Sequence, residues 1–161
     1  MVHKNLFSAV LGVIIFAEAI YLTYSYVQFR KIESFNCVAN LVQHYSDEYY
    51  NISLNYMIRG KFGLLHITGR SNENPKKIFN RKISFKLQRN GDLYYMVSEK
   101  NIKLPDDNFN DDELALYEPR FIITPGQDIY MRIIKQRSSS FVFMVDSIPT
   151  YVCNTYSGGN W

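Results

Sequence analysis

The chain has 161 residues and a net charge of +3, with 13 Tyr and 11 Phe but 1 Trp. That length suits one ordinary domain, and Tyr, Phe, Val and Ile favour strands, so the composition leans toward β structure. So small a net charge, without clustered Lys and Arg, excludes the basic footprint that nucleic-acid binding requires.

The first feature along the chain is an apolar run of 24 residues, Leu6–Phe29, interrupted by one formal charge, Glu18. As a helix rising about 1.5 Å per residue it reaches roughly 36 Å, more than the roughly 30 Å hydrocarbon core of a bilayer. Tyr21, Tyr24, Tyr26 and Phe29 make an aromatic belt ahead of Arg30 and Lys31, the composition of a membrane interface. The expectation is a retained single-pass anchor, with residues 1–31 as a short cytoplasmic stub and membrane helix. A cleaved signal is the competing reading, since Ala17-Glu18-Ala19 fits a small-x-small processing site; against it, the apolar pattern continues through Ile20, Leu22 and Val27. An acid at the centre of a membrane helix costs about 2.5–3.5 kcal/mol. Glu18 is then either a tolerated, protonated carboxyl or a contact to a partner helix, for which Ser8 and Gly12 supply a small-x-x-x-small pair. Lys4 on one side and Arg30 and Lys31 on the other do not set the orientation. Taking Lys4, Arg30 and Lys31 from 18 basic residues and Glu18 from 15 acidic ones leaves the remainder, residues 32–161, at +1.

That remainder begins with "SFNCVANLVQHY" (34–45). In "NISLNYMI" (51–58) Ile52, Leu54, Tyr56 and Ile58 fall on one face of a period-two pattern, which predicts a half-buried strand. Gly60 and "FGLLHIT" (62–68) turn it into a hairpin over 51–69, and "SNENPKK" (71–77) is a polar loop. "KISFKLQRNGDLYYMV" (82–97) predicts a second hairpin, with Ile83, Phe85 and Leu87 on one face and Asn90-Gly91 as the two positive-φ residues of a type I′ turn. "PDDNFNDDEL" (105–114) leads into a short helix around 112–117 capped by an Asp. "RFIIT" (120–124), "DIYMRIIKQ" (128–136), "SFVFMVDS" (140–147) and "TYVC" (150–153) complete the strands. The expected fold is mainly β: an antiparallel barrel or sandwich of about eight strands after a single N-terminal membrane helix.

Cys37 and Cys153 bracket this domain without any C-x-x-C or Cys/His cluster, so neither zinc nor redox chemistry is signalled. Either they form a disulfide that pins first strand to last, or they are two buried thiols of a cytoplasmic domain. A disulfide implies an oxidising compartment, the periplasm in a bacterium, and orients the chain with its N-terminus in the cytoplasm.

The scattered His3, His44 and His66 have no ligand spacing, and no catalytic or nucleotide-binding motif is present. Asp106, Asn108 and Asn110 alternate like the start of a calcium loop, but Asp111 stands where that loop needs Gly and Tyr117 where it needs Glu. No enzyme activity, metal or cofactor is therefore expected. A barrel of this size can hold one small ligand. Phe85, Tyr94, Phe121, Tyr130, Phe141 and Phe143 fall in strand segments, either lining such a cavity or filling a solid core.

An N-terminal membrane helix followed by "CVA" (37–39), "ITG" (67–69), "NRKISF" (80–85) with Arg81, and "YVC" (151–153) resembles the FidL-like membrane proteins of enterobacteria. The resemblance implies a small inner-membrane partner of a ToxR-type regulator, in the manner of ToxS, whose periplasmic domain pairs with the regulator's and can share a barrel that binds an amphipathic molecule such as a bile salt. The Cys37–Cys153 pairing fits that pattern. The alternative is an autonomous membrane-tethered ligand-binding module that needs no partner.

Overall fold

A computed structural model describes residues 2–30, 32–137 and 139–156, with the side chains of the first helix described over 11–27. The chain divides into two compact units, Met1–Lys31 and Ile32–Trp161.

The first unit is one helix, α1 (Val2–Arg30). Its described side chains are exposed except the half-buried Ser25. Among the described residues no helix is long and apolar enough to cross a membrane. The spanning anchor expected over Leu6–Phe29 is thus not shown, because both ends of that run fall outside the described side chains.

In the second unit β1 (Phe35–Tyr45), β2 (Glu48–Arg59), β3 (Phe62–Ser71), β4 (Ile78–Asn90), β5 (Leu93–Lys103), β6 (Asp128–Lys135), β7 (Ser140–Val145) and β8 (Ile148–Thr155) close in chain order into an antiparallel barrel. Alternation produces it. Tyr50, Ile52, Leu54, Tyr56 and Ile58 of β2 point inward, as do Phe79, Ile83, Phe85 and Leu87 of β4, and polar neighbours take the outer face. The first loop residues of four two-residue hairpins, Ser46, Gly60, Gly91 and Asp146, all have positive φ. At the third of these the expected register is off by one. Asn90 pairs with Leu93, so the loop is Gly91-Asp92 with positive φ only at its first residue, as in a type II′ turn rather than type I′.

Two inward-facing glycines on β3 make room for aromatics directly across on β4. A Cβ added at Gly63 would lie 2.2 Å from the Phe85 ring, and one at Gly69 would lie 2.1 Å from the Phe79 ring. Neighbouring strands part company in two places. β1 and β8 pair only at Cys37↔Thr155 and Val38↔Asn154, beside the Cys37–Cys153 disulfide, whose Cα atoms are 5.3 Å apart. β5 leaves β6 beyond Val97↔Asp128, two residues before Glu99, which is skipped in the β4–β5 register. That extra residue is a bulge, which bends a strand locally.

The segment between β5 and β6 fills the second gap. It carries α2 (Asp111–Leu114), capped by Asn110 rather than by an Asp, and α3 (Arg120–Ile123). α3 replaces the strand expected over 120–124. Pro119 presets a helical φ at the N-cap, and Phe121 and Ile122 are both buried, which a strand exposed on one face does not give for adjacent residues. Asn101 Nδ2 donates to the Phe121 carbonyl at 2.9 Å and ties α3 to β5.

Candidate functional site

Under the α2–α3 segment the barrel encloses a cavity of about 240 Å³. β1 and β2 supply Leu41, Gln43, Ile52, Leu54 and Tyr56; β6 supplies Ile129 and Met131; β7 and β8 supply Val145, Thr150 and Tyr151; the segment above supplies Tyr117, Glu118, Pro119, Phe121 and Ile122. Leu41 and Gln43 on one side and Thr150 and Tyr151 on the other bring the cavity to the seam where β1 and β8 are unpaired.

Its walls are apolar apart from a few polar groups. Tyr45 Oη donates a short hydrogen bond to Glu118 Oε1, and the Tyr56 and Tyr151 hydroxyls share one of 2.8 Å. Burial lifts the Glu118 carboxyl above the ordinary carboxylate range, against the opposing pull of the Tyr45 hydrogen bond. Burial likewise holds the hydroxyls of Tyr45, Tyr56 and Tyr151 above the usual phenol range, so all three stay protonated donors. The arrangement can hold a small molecule with an apolar body and a polar end.

The segment over the cavity is held by charge. Arg81 points inward from β4 and is 2% exposed. Its Nε donates to Asp107 Oδ2 at 3.0 Å and its Nη2 to Asp111 Oδ1 at 2.6 Å. Asp107 also accepts from the Asn80 and Phe109 amides. Lys103 adds an ion pair of 3.5 Å to Asp107.

The residues singled out in the sequence are not brought together as one site. Of the six aromatics expected to line a cavity, only Phe121 does so, and it does so from α3. Phe85, Tyr94, Phe141 and Phe143 are buried as solid core: Phe85 packs edge-on to Phe121, Phe141 stacks on Phe35, and Phe143 lies against Tyr56 and Tyr151. Tyr130 does not face the barrel interior. It is 56% exposed and packs on Tyr95 on the outer surface, because Met131 and Ile133 take the inward phase of β6. Asp106, Asn108 and Asn110 bond Asn80, the Ile78 amide and the first α2 amides respectively. Among the described residues no group of His, Cys, Asp or Glu is placed to hold a metal. His66 Nε2 lies 2.8 Å from Asn80 Oδ1. In α1, Glu18 and Gly12 are exposed, and the Ser8 side chain lies outside the described residues. At 3.6 residues per turn Glu18 sits roughly 80–120° round the helix from Ser8 and Gly12, so the three do not share one stripe.

The profile of the YqeJ C-terminal domain matches residues 34–153, which run from just before β1 to Cys153 and take in the whole cavity wall. The chain belongs to the YqeJ C-terminal domain family. It is similar to the uncharacterized protein YqeJ of Escherichia coli (strain K12), at 24% identity over 139 residues, covering 83% of this chain and 87% of that protein. Neither finding names a FidL-like or ToxS-type protein.

Glu118, Tyr56 and Tyr151 carry the wall's polarity, with Tyr45 bonded to Glu118 from outside the lining, and none of the four is a candidate site residue in the sequence reading. The available signal for Glu118 was a lone acid between Tyr117 and Pro119, ahead of "RFII".

Proposed function

We propose that this chain is a non-enzymatic barrel, held at a bacterial inner membrane by its N-terminal helix, that takes a small amphipathic molecule and works beside a one-pass ToxR-like regulator. The cavity carries this reading. It is concave and mostly apolar, with a few convergent polar groups, the usual form of a small-molecule site. The disulfide supports an oxidising compartment and therefore a periplasmic domain with a cytoplasmic N-terminus. The apolar run Leu6–Phe29 supports the anchor.

The regulator partner rests on the FidL-like resemblance and on the seam. Beyond their two shared pairs, β1 and β8 turn open edges toward one another, with Val42, Ile148 and Val152 exposed beside them. Open strand edges with apolar flanks accept an added strand from another chain. Such a partner biases a regulator only by binding one of its states better. The bile salt implied by the resemblance suits the cavity less well than a smaller amphiphile, because 240 Å³ falls below the roughly 300–1,000 Å³ of sites for drug-sized ligands.

The test is crosslinking in living cells from position 18 and from positions 42 and 152, with mass identification of what is caught. The reading expects a one-pass protein with a cytoplasmic DNA-binding domain. Capture of only unrelated envelope proteins removes the regulator from it. A second reading, an autonomous ligand-binding module, is favoured by one observation: eight strands of a single chain close the barrel.

A further inference from the structure

We propose that the cavity selects a compact amphiphile whose head group donates hydrogen bonds, an amine or an alcohol, and rejects one with an anionic head. This rests on the ligand-binding reading above and narrows it. The lining contains one carboxyl, Glu118, and no Lys, Arg or His. Among the described residues Glu118 makes no ion pair; its bonded neighbour is the Tyr45 hydroxyl. The barrel's buried cation, Arg81, is already committed to Asp107 and Asp111.

An anionic head in this cavity would lose its water and find no positive group in the wall; the one hydroxyl proton left over from the Tyr56–Tyr151 bond is a neutral donor that does not replace a cation, and any ionised Glu118 would repel it. A head that donates meets the opposite conditions. Glu118 and Gln43, whose side chains carry acceptor oxygens, both belong to the wall. Tyr56, Tyr117, Tyr151 and Phe121 add ring faces, which attract ammonium groups. An arriving ammonium also reverses the local electrostatics of Glu118. Burial favours the neutral acid while the cavity is empty, and an adjacent cation draws the carboxyl back to its charged form. The proton so released passes to solvent, and the pair is neutral overall. The apolar body then lies against Ile52, Leu54 and Met131.

The experiment is isothermal titration of the full chain in phosphatidylcholine nanodiscs, near neutral pH, with octylamine, octanol and octanoate, subtracting empty nanodiscs. Octylamine and octanol are expected to bind at least about tenfold more tightly than octanoate. In Glu118→Gln the gap between octylamine and octanoate is expected to narrow to within about threefold. Octanoate binding as tightly as octylamine to the unaltered chain overturns the head-group inference and leaves the ligand-binding reading standing. Failure of all three to bind overturns the ligand-binding reading itself. The comparison on the unaltered chain decides even where Glu118→Gln does not fold.

Discussion

Replacing both Cys37 and Cys153 by Ser removes the one covalent link across a seam that is otherwise laced by two residue pairs. The bond closes a loop of sequence separation 116. In the chain-entropy treatment that loop restricts the unfolded chain by about 16 cal/mol/K, or about 5 kcal/mol at 25 °C. Such a loss is a third or more of the about 5–15 kcal/mol that stabilises an ordinary domain. The perturbation is local in the folded state, because both cysteines are fully buried and Ser is nearly the same size. The assay is urea denaturation of the full chain in detergent, followed by the near-ultraviolet circular dichroism of its buried tyrosines, comparing the oxidised chain with C37S/C153S. The expected loss is about 3–5 kcal/mol with unchanged secondary structure under native conditions. A loss below about 1 kcal/mol would show that the β1–β8 seam holds without the bond and refute the reasoning.

Three further outcomes follow from the packing and the charges. Gly69→Ala drives a Cβ into the fully buried Phe79 ring and should cost about 1–3 kcal/mol by urea denaturation; an unchanged midpoint would mean that Phe79 has room to move. Arg81→Met leaves Asp107 buried without its main partner, which should cost about 3–5 kcal/mol, and amide exchange should quicken over 104–127 before it does in the strands. Uniform quickening would deny Arg81 its role as fastener of that segment. Glu118 has a folded-state pKa raised above its unfolded value by burial. The stability it contributes is therefore complete below the unfolded pKa of about 4.3 and is lost as pH rises through the raised folded value. Glu118→Gln should raise Tm near neutral pH and leave it unchanged in acid; parallel Tm–pH curves for the two chains would contradict this.

Much of the barrel was legible because its strands are buried on one face only. In "NISLNYMI" the alternation of Ile52, Leu54, Tyr56 and Ile58 with Asn51, Ser53 and Asn55 needs no tertiary information, and Cys37 and Cys153 mark the strands that meet. Where alternation fails, so did the reading. "RFII" is apolar enough for a strand, yet it buries two adjacent residues in a helix whose place is set by β5 parting from β6. Tyr130 lies in a strand with apolar residues on both faces, where composition cannot choose the phase; the inward choice of Met131 and Ile133 sends it to solvent. Ile78–Arg81 fall outside the hairpin expected over 82–97, because a lone sequence does not reveal the Asp107 and Asp111 that neutralise Arg81. Glu118 meets Tyr45 across 73 positions of chain, a contact that no local pattern encodes.

The most direct test of a ligand-binding barrel is methyl NMR of the full chain in nanodiscs, titrated with octylamine. The methyl signals of Leu41, Ile52, Leu54 and Met131, which line the cavity, should shift together and saturate, while those of Val42, Ile148 and Val152, exposed to solvent, hold still. Shifts confined to the exposed methyls, or no saturable shift at all, would contradict the account.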